Sequence, residues 1–227
     1  MALAVNYSRW IFDRLRPFIG KHIVEVGAGM GSFTKILLET QPESMTLLEP
    51  SANLFPILSE RLPTLDVRGI ADARAATLAQ AFGATNPPRQ PDTAIYVNVL
   101  EHIADDEQEL RALHSILPVS GRLLIFVPAN PWLMGTMDHH LRHFRRYKLD
   151  ELVVKCRSAG FRIQLAEYFD VIGIVPWWLS YCLLKSDRME PASVQLYDRM
   201  VVPISRMLER FITPPIGKSV IMVAENG

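Results

Sequence analysis

The stretch His22-Ile23-Val24-Glu25-Val26-Gly27-Ala28-Gly29-Met30-Gly31-Ser32 decides how this chain folds. Its first five residues form a β-rich run, and three glycines at alternate positions follow. Glycine lacks Cβ and reaches left-handed torsions, so a strand running into G-x-G-x-G can turn sharply and bring its backbone close to a ligand. Phe33, Ile36 and Leu37 come next at i, i+3, i+4 spacing, which predicts a strand, a tight turn and a helix in succession.

Working outward, short aliphatic runs alternate with helically spaced segments from residue 20 to residue 166, the pattern of βαβ units around a parallel sheet. Residues 45–49 form a second run stopped by Pro50, and Ser51 is placed to cap a short helix bearing Leu54, Ile57 and Leu58 that Pro56 distorts. Residues 65–70 read as a third strand, residues 71–82 as an alanine-rich helix and residues 84–91 as a loop. A fourth strand at 93–99 leads to a helix carrying Leu110, Leu113 and Leu117 and ending at Gly121. Residues 122–128 give a fifth strand. Leu149, Leu152, Val153 and Cys156 mark a helix closed by Gly160, and Phe161, Ile163 and Leu165 alternate in a sixth strand. Residues 218–224 form a seventh, and an insertion with helical spacing from Leu196 to Phe211, kinked at Pro203, fills the gap before it.

Composition narrows the function. The chain has 227 residues, 49% of them hydrophobic, with 24 basic and 24 acidic side chains. A domain this long buries about 70% of its unfolded surface without a disulfide or metal. Zero net charge argues against nucleic acid as the main partner, since phosphate neutralisation needs a basic excess. Cys156 and Cys182 match no paired spacing and read as reduced thiols in a cytoplasmic protein. The first 18 residues lack the features of a secretory signal. The apolar stretch from Val171 to Leu184 is too short to span a bilayer and contains Pro176, so no transmembrane segment is expected.

Glu49 lies 22 residues past Gly27 at the end of the second strand, where a carboxylate can accept bonds from both hydroxyls of a ribose. With Glu49 in place, residues 24–32 resemble the first motif of class I S-adenosylmethionine-dependent methyltransferases, of the small-molecule acceptor type. The resemblance implies a doubly wound, mostly parallel seven-stranded α/β sheet of Rossmann-like form in a single domain, 1–227. Residues 1–20 would be an N-terminal helical cap, and residues 169–216 a helical insertion on the acceptor side between the last two strands. It implies that Glu25 orients the methionine part of the cofactor, that Gly27, Ala28, Gly29 and Gly31 line it, and that Glu49 with Pro50 holds the ribose. Ala71 and Asp72 match the family's position near the adenine amino group, and Asn98, Val99 and His102 match the segment flanking the methionine portion. The family's proline-glycine turn before strand five is spread here into Pro118-Val119-Ser120-Gly121, a change of turn geometry. The match runs in order from residue 7 to residue 166, with Tyr7 and Trp10 placed either to close over the cofactor or to pack on the sheet.

Residues 138–147, Asp-His-His-Leu-Arg-His-Phe-Arg-Arg-Tyr, hold three of the six histidines and three arginines in a loop at the carboxyl end of strand five, where ligands of parallel sheets bind. His143, Arg145, Arg146 and Tyr147 are similar to a histidine-x-Arg-Arg-Tyr signature of small-molecule members. Methyl transfer to a hydroxyl or amine needs a base, which nominates His143 first and His140 second. A carboxylate acceptor needs orientation instead, which the guanidinium forks offer. A metal on His139 and His143 would need a shared helical face; no acidic or cysteine cluster stands beside them in sequence, so no metal is expected. Oxygen methylation of an acidic or amphipathic metabolite, with S-adenosylhomocysteine as product, is the leading expectation. The alternatives are N- or C-methylation, a nicotinamide oxidoreductase, which would more often carry G-x-G-x-x-G, and a non-catalytic cofactor-binding subunit. Phe169, Trp177, Trp178 and Tyr181 place the insertion at the site's rim as a substrate lid, a homodimer interface or a membrane-surface contact.

Overall fold

The computed structural model describes residues 4–65 and 71–227. Its described residues form a seven-stranded sheet in the order β3-β2-β1-β4-β5-β7-β6. The strands are β1 His22–Val26, β2 Ser44–Leu48, β3 Ala71–Arg74, β4 Thr93–Val97, β5 Arg122–Pro128, β6 Phe161–Phe169 and β7 Ser219–Asn226. β1 pairs in parallel with both β2 and β4, and β7 runs antiparallel between β5 and β6. The strand order therefore reverses beside β1. In a doubly wound sheet that reversal opens a crevice at the carboxyl ends of β1 and β4, and the glycine loop starts there.

Period-two alternation divides the strand residues between two cores. Val24, Val26, Tyr96 and Ile125 face one cluster that includes Leu110 and Leu113 of α5 (Asp106–Ile116) and Leu152 and Cys156 of α7 (Leu149–Ser158). Ile23, Met45, Leu47 and Phe126 face the other, which takes in Trp10, Ile11 and Phe12 of α1 (Val5–Leu15), Leu37 of α2 (Thr34–Leu37) and Leu58 of α3 (Phe55–Arg61). Both faces are buried, and this accounts for nearly continuous apolar strands such as 123–127.

Two expected elements shift. The expected third strand, 65–70, lies outside the described residues from 66 onward, and the expected alanine-rich helix gives way to β3 at Ala71–Arg74, which pairs with Met45–Leu48. Alanine's helix preference is a weak prior that sheet pairing overrides. The helix that follows, α4 (Leu78–Phe82), starts at Thr77, whose side chain accepts from Gln80 N while Gln80 Oε1 accepts from Thr77 N, a capping box. The helix after β4 ends at Ile116 and not at Gly121, because Leu117 precedes Pro118 and is extended.

Helix α6 (Thr136–His140) follows β5, and between β6 and β7 lie α8 (Ile174–Trp177), α9 (Pro191–Leu196) and α10 (Val202–Leu208). Wide-turn π segments, Trp178–Leu183 and Tyr197–Val201, sit next to Pro176 and Pro203, the residues that interrupt regular helical bonding here. The second half of this segment is tied to the chain's start. Asp198 accepts from Asn6 N and Tyr7 N at 3.0 and 2.9 Å, capping α1, and Arg206 pairs with Asp13 at 2.8 Å. Both cysteines are free thiols, and no helix among the described residues is long and apolar enough to cross a membrane.

Candidate active site

The glycine loop is built from backbone. Gly27 N and Ala28 N both donate to Leu48 O, at 2.7 and 3.0 Å, so the loop hangs from the end of β2. Gly27, Gly29 and Gly31 have φ of 71°, 58° and 77°. A Cβ on Gly27 would lie 2.4 Å from Val99 Cγ2, because this loop and the loop after β4 are in contact. A Cβ on Gly29 would meet nothing within 4 Å: that face of the loop is open, as a ligand cradle requires.

Glu49 stands at the rim of that opening. Its Oε2 accepts from Gly29 N at 2.8 Å and its Oε1 from Ser51 N at 2.9 Å. Each carboxylate oxygen accepts two bonds, so one position per oxygen is left for a ribose hydroxyl. Pro50, next in sequence, is exposed. Glu25 is buried beneath the loop, where Thr34 Oγ1 donates to its Oε2 at 2.6 Å, and burial pushes its carboxyl up to about 8. Asn98 ends β4 with φ 54° and its N–H donates to Phe126 O at 2.8 Å, turning Val99 back toward Gly27. These residues fit the adenosine and methionine parts of S-adenosylmethionine: an open glycine face, a ribose-length carboxylate and a buried acid under the turn.

Five further residues of the expected cofactor site have surroundings set by the protein itself. Asp72 is exposed within the edge strand β3, two residues short of its end, and pairs with Arg74 at 2.8 Å; Ala71 opens the same strand. Trp10 is a core residue stacked on Phe169 with 3.9 Å between ring centroids, and Tyr7 meets Phe126 and Phe169 edge to face. For both aromatics the structure gives the sheet-packing alternative, since their ring partners belong to β5 and β6. His102 packs edge to face on His143 at 4.6 Å. A cleft of about 320 Å³ behind α1 is lined by Trp10, Arg14, Glu167 and Arg206 among others, and no glycine-loop residue lines it.

The segment 138–147 is organised by an acid. Asp138 is fully buried: its Oδ2 accepts from Gly135 N at 2.8 Å, and its Oδ1 accepts from His143 Nδ1 at 2.8 Å and Arg146 Nε at 2.9 Å. Burial alone would raise its carboxyl; the His143 hydrogen bond and the Arg146 charge outweigh burial and hold it below the ordinary range. Arg146 is 3% exposed, also donates to Ala129 O at 3.1 Å, and lies 4.6 Å over the Trp177 ring. Arg145 pairs with Asp106 at 2.7 Å and donates to Ala104 O. The Tyr147 hydroxyl donates to Asp106 Oδ2 at 2.8 Å, and its ring is buried. The polar groups of Arg145, Arg146 and Tyr147, expected toward an acceptor, are engaged with Asp106, Asp138 and backbone carbonyls and brace the loop. His139 and His140 are exposed at the end of α6, and Arg142, at φ 60°, turns the chain so that His139 and His143 share no helical face.

Of the three histidines in this segment, only His143 turns its side chain into the protein. Asp138 holds its Nδ1, and its Nε2 faces Glu101 Oε1 at 3.9 Å, with His102 alongside. Glu101 is fully buried, and burial, the leading cause, pushes its carboxyl up to about 8. The sequence reading missed Glu101 and Asp138; the available signal was the acid Glu101 standing directly before His102 after the fourth strand. From the insertion, Trp177 Nε1 donates to Leu133 O at 3.1 Å and Thr136 Oγ1 to Tyr181 O at 3.2 Å, so α8 and the π segment after it cover this loop. Phe169, expected at the rim, is core.

Comparison with known proteins agrees with this geometry. The family described as "Methyltransferase domain" matches residues 6–166. The ribosomal RNA small subunit methyltransferase A of Maridesulfovibrio salexigens is 41% identical over 58 residues, 26% of this chain and 22% of that protein, so the chain matches well under half of that relative's length. The ubiquinone biosynthesis O-methyltransferase of Pseudomonas paraeruginosa is 24% identical over 178 residues, 73% of this chain and 72% of that protein. The crystal structure of an S-adenosylmethionine-dependent methyltransferase from Mesorhizobium loti superimposes with a TM-score of 0.62 at 15% identity, covering 95% of this chain and 97% of that one. With the glycine loop hung from β2, Glu49 at its rim and the family match across the sheet, this chain belongs to the methyltransferase-domain family.

Proposed function

We propose that this chain is an S-adenosylmethionine-dependent methyltransferase acting on an oxygen of a small acidic or amphipathic metabolite, and that the cluster Glu101, His102 and His143 manages the acceptor's proton. The observation that carries this reading is His143, fixed through Nδ1 by a buried carboxylate and presenting Nε2 beside the loop that contacts Gly27. In the neutral imidazole a proton on Nδ1 leaves the lone pair on Nε2, the atom a general base uses. S-adenosylmethionine supplies an activated methyl group. The protein's part is to hold acceptor and cofactor within near-attack distance, about 3–3.5 Å, and to exclude water. Asp138 keeps the imidazole oriented, Glu49 and the glycine loop anchor the cofactor, and α8 with its π segment forms the wall over residues 135–146.

The 24%-identical relative named as an O-methyltransferase supports oxygen as the methylated atom. Nucleic acid as acceptor is disfavoured by zero net charge and by Arg145 and Arg146 being engaged internally. A cytoplasmic location and a homodimer through the insertion's apolar face belong to the same reading. The test is mass spectrometry of metabolite extracts incubated with labelled S-adenosylmethionine. One small product gaining a single methyl on oxygen is expected; label in RNA only, or on carbon or nitrogen, sinks the proposal. His143→Ala should lower kcat by about 10²- to 10⁴-fold while S-adenosylhomocysteine affinity is kept.

A further inference from the structure

Glu101 poses a problem in physical chemistry. Its side chain is fully buried, and among the described residues neither carboxylate oxygen has a hydrogen-bond donor. A buried carboxylate without a partner costs several kcal/mol in a folded protein, so such a group ordinarily meets a cation or keeps a proton. Arg146, committed to Asp138 and Ala129 O, reaches it only through its charge. What faces it is the His143 ring: in the neutral tautomer with Nδ1–H on Asp138, Nε2 carries a lone pair toward Glu101 Oε1, 3.9 Å away. The exposed His102 completes the group, and one ligand atom from each of the three lies within 4.8 Å of the others.

We infer that Glu101, His102 and His143 form a binding site for one divalent first-row metal ion. Metal–oxygen and metal–nitrogen bonds of about 2.0–2.2 Å put neighbouring ligand atoms roughly 3–4 Å apart, a separation these side chains reach by small rotations. Two imidazoles and a carboxylate form a donor set suited to zinc, iron, cobalt or manganese. The surroundings are those of a metal-ligating histidine, whose far ring nitrogen is normally held by a carboxylate; Asp138 does this for His143, and is itself fixed by Gly135 N and Arg146. Glu101 and His143 are enclosed by protein while His102 is exposed, so remaining coordination positions open toward solvent on the acceptor side.

The site's role rests on the oxygen-methylation reading. A hydroxyl ligated to the ion ionises near neutral pH, and its proton leaves to solvent. Its oxygen then forms the bond to the methyl carbon as the carbon–sulfur bond breaks and the electron pair stays on sulfur. His143 would then act as a ligand in place of a free base. A direct test titrates the chelator-stripped protein with Mn²⁺ and with Zn²⁺ by calorimetry, following Mn²⁺ by electron paramagnetic resonance. One equivalent should bind, with affinity reduced at least tenfold by Glu101→Gln and by His102→Ala, and about 10–100-fold by Asp138→Asn. S-adenosylhomocysteine binding in the same samples reports folding, and His102→Ala, being exposed, keeps the test usable if the buried variants unfold. Absence of binding by either ion, or binding untouched by both Glu101→Gln and His102→Ala, overturns the site. Labelled methyl transfer that persists in chelator would then leave the His143 base reading standing, whereas metal binding without any oxygen product would sink that reading alone.

Discussion

Two loops at the same end of one sheet are built on different principles. The glycine loop takes its support from nearby chain: Leu48 and Glu49 on the adjacent strand, and Thr34 in the helix it opens. The segment 138–147 takes its support from afar, with Glu101 and Asp106 after β4, Ala129 at the end of β5, and Trp177 in the insertion. The first loop works through backbone torsions and leaves a face open. The second works through the buried acids Asp138 and Asp106, matched by Arg146 and Arg145, and leaves a single imidazole edge presented toward Glu101. A cofactor shared by a whole family suits the first kind of site, and an acceptor particular to one enzyme suits the second, since long-range side-chain networks can change while the sheet stays the same.

The sharpest way to break the second loop is Asp138→Ala. It leaves Arg146 buried without its carboxylate and frees His143, and removing one partner of a buried pair costs about 3–5 kcal/mol. Urea denaturation should register that loss, and a cost under about 1 kcal/mol would mean that the segment is held by something other than Asp138. Glu49→Ala is the matching break in the first loop. It removes the acceptor for Gly29 N and Ser51 N along with the proposed ribose contact, so S-adenosylhomocysteine affinity should fall about 100-fold, or roughly 2.7 kcal/mol. Unchanged affinity in calorimetry would remove Glu49 from the cofactor site.

The contrast also explains what the sequence revealed. Glu49, Gly27 and Glu25 were legible because strand ends and a glycine spacing fix their neighbours within one βαβ unit. Asp138 and Glu101 were not, because nothing in one-dimensional spacing says that residues 37 apart will share a buried cluster. The misplacement of β3 has the same origin: Ala71–Arg74 is a strand only because Met45–Leu48 is beside it. Arg145, Arg146 and Tyr147 were recognised as a group, yet their residue types could not tell a substrate clamp from an internal brace. That distinction depended on Asp106 and Asp138, acids whose partners only the fold supplies.

A subtler difference between the loops is their response to pH. Glu25, under the glycine loop, is raised by burial from the ordinary 4.5 to about 8, so in that window the unfolded chain has lost a proton that the native state keeps. Its contribution to stability is fully present below about pH 4.5 and is lost as pH rises through about 8. Glu101, raised to about 8, adds a slope of the same sign, while Asp138, held low, adds the opposite one at acid pH. Unfolding free energy measured between pH 5 and pH 8 should therefore decline less steeply in Glu25→Gln than in the native chain. An identical slope in both would mean that Glu25 is solvated in a way its burial denies.

The smallest effect on stability, and the most informative about the acceptor, is expected in the insertion. Its apolar side chains are exposed where those of the sheet are buried: Leu184 is 75% and Phe211 81% accessible. Large apolar groups left in water contribute little to folding, so Leu184→Ser and Phe211→Ser should each change unfolding free energy by less than about 0.5 kcal/mol. Their function lies in what the face meets. If it is a wall for an amphipathic acceptor, the KM for that acceptor should rise several-fold in these variants, with kcat and S-adenosylhomocysteine affinity kept, as loss of uniform binding predicts. If it joins two copies, sedimentation should show dissociation on substitution with KM unchanged. A stability loss of 2 kcal/mol or more would contradict both outcomes, because it would mean that the face is covered within a single chain, and the contrast between a buried cofactor half and an open acceptor half would fail with it.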